Sequence, residues 1–172
     1  LIYISNFLFW DTITLQKAGL IIMEEKIKSK WREILDLIKK EYSIDDIRGI
    51  GVGAPNGNYY TGCIENAANL TWAKNQVVHF ADMLSKQIGV PVALTNDANA
   101  AAVGEMTYGA ARGMKNFIMI TLGTGVGSGI VINGNVVYGH DGFAGELGHT
   151  CAVRNNGRIC GCGKTGCLET YA

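Results

Sequence analysis

At 172 residues, 48% hydrophobic and 17% charged, the chain has the composition of an ordinary globular protein, long enough for one good core or two small lobes. That excludes a disordered tail and a fibrous repeat. Fifteen basic residues balance fifteen acidic ones, so no net field draws the chain to nucleic acid or to an anionic membrane surface, and neither partner is expected.

The opening run from Leu1 to Trp10 is apolar, but it has no basic flank and is too short to span a bilayer. It reads as a strand, and the cytoplasm is the expected location. Ile27, Trp31, Ile34, Leu35 and Ile38 fall on one face of a charged segment from about residue 24 to 41, the spacing of an amphipathic helix packed on a sheet. Ile47-Arg-Gly-Ile-Gly-Val-Gly-Ala-Pro55 predicts a short buried strand running into a glycine turn, and the polar stretch onward to Trp72 reads as a surface loop. Val77, Phe80, Ala81, Leu84 and Ile88 form a second helical stripe closed by Gly89. Pro91 to Thr95 is a brief strand ending at Asn96-Asp97, which opens an alanine-rich helix expected over 98–111 with its stop at Gly113.

From about Lys115 the character changes. Phe117–Leu122, Gly129–Ile132 and Val136–Tyr138 are β-rich, and Asn133-Gly134 is a strong two-residue hairpin signal. Three antiparallel strands should therefore begin a second lobe, dividing the chain into residues 1–114 and 115–172. Gly123-Thr-Gly-Val-Gly-Ser-Gly129 lies between the first two strands. Such a turn can aim successive N–H groups and the Thr124 hydroxyl at a phosphate, or it can be a tight bend and nothing more. It is not the dinucleotide fingerprint, because serine stands at 128 and a strand follows.

Chemistry concentrates in the last quarter. His149, Cys160, Cys162 and Cys167 supply a complete Cys3His set within nineteen residues, which is the ligand number and type of a closed, structural zinc site. Gly161, Gly163 and Gly166 are expected to allow tight positive-φ turns around the ion. Disulfides fit less well, since five cysteines is an odd count and Cys160 and Cys162 are too close to pair. Cys151 reads as a small buried apolar residue. Asp97, at a strand's carboxyl end and a helix opening, can be an N-cap or a site carboxylate. Its company of Asn96, Glu146, His149 and Glu169 is of the kind that reads a polyhydroxylated ligand.

Six segments in order match one family. They are Gly51-Val-Gly-Ala-Pro-Asn-Gly57, Asn69-Leu-Thr-Trp72, Thr95-Asn-Asp-Ala-Asn-Ala-Ala101, Leu122-Gly-Thr-Gly-Val-Gly-Ser-Gly129, Gly145-Glu-Leu-Gly-His149 and the block from Cys160 to Glu169. From Ile47 to Ala172 the chain resembles the ROK sugar kinases, with bacterial glucokinases the nearest in pattern. The resemblance implies an α/β chain with the actin-like, ribonuclease-H-like two-lobed ATPase fold. It implies phosphorylation of a hexose, glucose first, at its 6-hydroxyl, with ATP and magnesium, and Asp97 as the general base. Asn96, Asp97, Glu146, His149 and Glu169 match the hexose set, with Gly57 and Asn58 offering contacts from a facing loop. Gly123, Thr124, Gly125 and Gly127 match a phosphate loop, and zinc on His149 would fix the aim of the other ring nitrogen at a sugar hydroxyl.

Departures accompany the match. The family's first phosphate loop, Asp-x-Gly-Gly-Thr, is absent between Leu1 and Glu24, where Leu1 to Leu20 reads as foreign or displaced sequence, and Ala68 replaces a frequent proline. The family also continues past Ala172, so the chain is read as a fragment whose own turnover is not to be expected, and a homo-oligomer belongs to a full-length protein. A sugar-sensing repressor domain and a non-catalytic sugar or zinc module are the alternatives; one amphipathic helix and no basic recognition helix before Ile47 speak against the first of these.

Overall fold

The computed structural model describes residues 2–4, 36, 40, 47–67, 70 and 73–172. The helix expected over 24–41 lies outside them except for Asp36, which is helical, and Lys40 in a turn; the Asn69-Leu-Thr-Trp72 motif lies outside except for Leu70.

Three strands form a parallel sheet in the order β1 (Ile2–Ile4), β2 (Ile50–Ala54), β6 (Val92–Asn96). Alternation in β2 places Ile50, Val52 and Ala54 on the core side, where they meet Leu94 of β6. Register is continuous from Ile50 opposite Val92 to Ala54 opposite Asn96, so β6 delivers Asn96 beside the glycine turn that follows β2.

The stretch after Pro55 is not a surface loop. It holds β3 (Gly57–Asn58) and β4 (Cys63–Glu65), antiparallel and joined on to β5 (Val77–Val78). Cys63 and Ile64 are buried core residues. Asn56, Gly62 and Asn66 all take positive φ, reversing the chain every few residues, and strands this short leave no readable period. Val77 accordingly pairs with Glu65 and is exposed, and the helix α1 starts only at Phe80, running Phe80–Ile88 with Phe80, Ala81 and Leu84 inward. Its end is as expected: Gly89 is left-handed at φ 75 and donates to the Ser85 carbonyl.

Helix α2 (Asp97–Tyr108) follows β6 without a loop. It stops earlier than the alanine content suggests, because Glu105 folds back and accepts from the Ala110 N–H at 2.8 Å beyond the cap at Gly109. Three strands, β7 (Phe117–Leu122), β8 (Val126–Ile132) and β9 (Asn135–Val136), make the expected antiparallel sheet, with Asn133 at φ 53 and Gly134 at φ 76 forming the two-residue turn.

Small residues let α2 lie directly on β8. A Cβ at Gly129 would stand 2.8 Å from the Ala102 methyl and 2.9 Å from the Ala98 carbonyl oxygen. Gly129→Ala should therefore destabilise the fold by roughly 1–3 kcal/mol, the usual cost of overpacking, read as a lower urea midpoint at unchanged slope. An unchanged midpoint would show that the helix and strand can separate without cost.

Candidate functional site

Asn96 and Asp97 divide the work at the head of α2. The Asn96 side chain accepts from the Ala98 N–H at 2.9 Å as the N-cap, and Asp97 is the first helical residue, exposed, its Oδ1 also 2.9 Å from that N–H. The capping role falls chiefly to Asn96, which leaves the Asp97 carboxylate facing solvent where the helix dipole favours negative charge. Gly57 packs against the Thr95 carbonyl just before this pair, at a distance no side chain could tolerate, so β3 lies directly against the strand end.

From the other side come Glu146 and His149. A single turn of 3-10 helix, Leu147–His149, follows Gly145 at φ 89 and puts Glu146 and His149 on one side, with His149 Nε2 4.0 Å from Glu146 Oε2. Burial pushes the Glu146 carboxyl above the usual carboxylate range; nearby His149 opposes the shift, and the charges of Asp97 and Glu169 add to it. The charges of Asp97, at the head of α2, and of Glu169, in the C-terminal segment, are thus both felt at Glu146.

His149 Nδ1 points the opposite way, into the cysteines. It lies 3.6 Å from Cys160 Sγ, Cys162 Sγ is 3.7 Å from Cys167 Sγ, and the four ligand atoms all lie within 4.8 Å of one another. Ligands on a tetrahedral zinc stand about 3.5–3.8 Å apart, given zinc–sulfur and zinc–nitrogen bonds of about 2.3 and 2.0 Å, so the His149–Cys160 and Cys162–Cys167 pairs stand at zinc spacing and the donor types suit that ion. No disulfide competes for the thiols. Without metal, burial first and the Glu169 hydrogen bond second push the Cys160 thiol up to about 12, burial raises Cys167, and the Lys164 N–H lowers Cys162. Gly163 and Gly166 have positive φ as expected, but Gly161 does not. Cys151 is exposed, not buried, and pairs by backbone with Cys167.

Glu169 joins the two halves. Its Oε1 accepts from the Cys160 thiol at 2.8 Å and lies 3.5 Å from His149 Nδ1, and its Oε2 would be 2.6 Å from a Cβ on Gly125. Gly125 therefore makes room for a carboxylate, whatever else the hairpin binds. Gly123 and Thr124 form the exposed tip between β7 and β8, where the Gly123 N–H donates to the Gly125 carbonyl at 3.0 Å. Gly127 is already inside β8, against Thr121 and the Ala98 methyl, so helix packing accounts for it.

Two supports escaped the sequence reading. Ser128, 5% exposed, donates from Oγ to the Gly145 carbonyl and so holds the loop that carries Glu146. Its signal in the sequence is a lone hydroxyl inside a glycine-rich strand. Arg158 closes the cysteine loop, donating to the Thr170 carbonyl at 2.6 Å with its guanidinium 5.0 Å above the Tyr171 ring. Among the described residues no helix is long and apolar enough to cross a membrane.

A family model described as "ROK family" matches residues 14–172, which carries the likeness well upstream of Ile47 and corrects the reading of residues 14–20 as foreign. A protein named glucokinase from Halalkalibacterium halodurans is 50% identical over 131 residues, 76% of this chain and 39% of that protein. One named xylose repressor from Caldicellulosiruptor bescii is 35% identical over 177 residues, 99% of this chain and 43% of that one. A crystal structure described as a ROK family glucokinase from Streptomyces griseus, in complex with glucose and AMPPNP, superposes with a TM-score of 0.71 at 36% identity, covering 86% of this chain and 46% of that one. The chain thus spans about two-fifths of the length of the curated relatives it matches.

Proposed function

The chain belongs to the ROK family, with the α/β, actin-like ATPase fold of its sugar kinases, and from that premise we propose that it carries the hexose half of an ATP-dependent hexose kinase. The observation that carries this reading is the grouping around Glu146, whose carboxyl feels the charges of Asp97 and Glu169 and stands 4.0 Å from His149 Nε2, with Glu169 in turn packed at Gly125 behind the exposed hairpin tip Gly123-Thr124. Carboxylates and amides suit a neutral polyol and repel an anionic ligand, so the pocket takes the sugar and the hairpin takes the phosphates. In this reading residues 1–114 form the small lobe and 115–172 begin the large one. Glucose is the substrate of choice by likeness to the glucokinases.

Asp97 accepts the proton of the 6-hydroxyl as that oxygen attacks the terminal phosphate of ATP, whose bond to the bridging oxygen breaks and releases ADP. Being exposed and first in α2, it can reach a hydroxyl without breaking the cap that Asn96 supplies. Glu146 and His149 Nε2 orient ring hydroxyls, and Glu169 reaches the same space from the cysteine loop. His149, Cys160, Cys162 and Cys167 would hold zinc, which supplies structural closure and takes no part in phosphoryl transfer. Magnesium arrives with ATP.

The full-length protein should form glucose 6-phosphate from glucose and ATP; sugar binding without turnover would overturn the kinase reading. It would favour instead a sugar-sensing domain of a repressor, the second reading, which rests on the match to the xylose repressor along 99% of the chain.

A further inference from the structure

Asn58 sits in β3, 4% exposed, with both ends of its amide engaged by backbone. Its Nδ2 donates to the Asp141 carbonyl at 2.9 Å, and its Oδ1 accepts from the Tyr60 N–H at 3.0 Å. Gly142, at φ 88, leaves the space for it: a Cβ there would fall 2.6 Å from Asn58 Oδ1. The residues that follow reinforce the junction. Tyr60 OH donates to the Gly139 carbonyl at 2.9 Å, and the Tyr59 and Tyr138 rings stack 4.2 Å apart and 3° from parallel.

Apart from the Tyr60–Asn58 hydrogen bond within the hairpin, these contacts run from residues 58–60 to residues 138–142. That second segment is the start of the loop that delivers Glu146 and His149, whose far end Ser128 holds at Gly145. A buried amide whose oxygen and nitrogen already serve backbone partners is poorly placed to read a ligand, but it fixes a loop well, because an unmade bond there leaves polar groups buried.

We infer that Asn58 is a positioning residue for the sugar-binding loop and not a sugar contact: it ties the β3 hairpin to Asp141-Gly142 and so sets where Glu146 and His149 stand. This deepens the hexose reading and rests on it. Asn58→Ala, Asn58→Asp, Gly142→Ala and the double variant Asn58→Ala/Gly142→Ala test it, with hydrogen exchange, zinc content and glucose calorimetry as readouts. In Asn58→Ala the Ala144 and Leu147 amides, which bond to the Tyr138 and Gly145 carbonyls, should exchange roughly tenfold faster or more, the scale of one lost buried hydrogen bond. Glucose affinity should weaken by a similar factor, with zinc content and exchange in α1 unchanged. Asn58→Asp keeps the acceptor for Tyr60 and loses the donor to Asp141, so it should loosen the loop as alanine does while the Tyr60 amide stays protected. Gly142→Ala leaves the amide in place and pushes a methyl against it, and should act alike, with the double variant no worse than the poorer single one. Unchanged loop exchange in Asn58→Ala, or glucose binding that is unaltered when the loop loosens, overturns the inference. Wild-type protein that binds no glucose overturns the hexose reading alone, and loop exchange still decides the role of Asn58.

Discussion

Asp97→Asn in the full-length protein should lower the rate of hexose phosphorylation by about 10²–10⁴-fold, the range of a lost general base, with glucose affinity and thermal midpoint nearly unchanged. The structure explains why the loss should be confined to catalysis. Asn96 supplies the cap of α2, and an amide at 97 can still accept from the Ala98 N–H as the carboxylate does. Asparagine preserves size and position but cannot take the proton from the attacking hydroxyl. A steady-state assay of turnover number against sugar Michaelis constant separates the outcomes: a fall in turnover alone supports the role, and equal rates remove Asp97 from it. A loss of stability beyond about 1 kcal/mol would instead identify Asp97 as part of the cap.

Where the chain repeats a period over several residues, the sequence predicts the structure well: β2, the end of α1 at Gly89 and the Asn133-Gly134 hairpin stand as expected. The misses share a cause, which is structure set by contacts remote in the chain. β3 and β4 are two and three residues long and exist because Asn56, Gly62 and Asn66 turn the backbone, not because their own residues favour strand. The ending of α2 depends on one glutamate folding back on its own helix. The candidate site was legible by residue type, since carboxylate, imidazole and thiol are rare enough to stand out. Their supports were not. Asn58 and Ser128 are ordinary residues whose meaning lies in the carbonyls of Asp141 and Gly145, 83 and 17 positions away.

Stripping the metal, or replacing Cys162 by serine, should abolish hexose binding together with the stability of the C-terminal loop. Folding energy is expected to come from the ion itself, because metal binding contributes about 10–16 kcal/mol in small zinc-folded peptides and the loop from Cys151 to Thr170 is held otherwise by two isolated bridges, short turns and Arg158. Binding should go with it because His149 faces both ways: Nδ1 toward Cys160 and Nε2 toward Glu146. Once the ring is released from the cluster, only its own 3-10 turn and the carboxylates of Glu146 and Glu169 are left to aim it. Glu169 is tied to the same ligands, since its Oε1 accepts from the Cys160 thiol and lies 3.5 Å from His149 Nδ1. The pH dependence has a definite sign. Cys160 is pushed up to about 12 and Cys167 upward without metal, so at neutral pH both are protonated and the incoming ion must displace those protons. Metal affinity should therefore rise with pH and fall as the solution is acidified, which a chelator competition at several pH values would measure. A metal-free variant that stays folded and binds glucose with unaltered affinity would separate the cluster from the pocket, leaving His149 aimed by its own 3-10 turn alone.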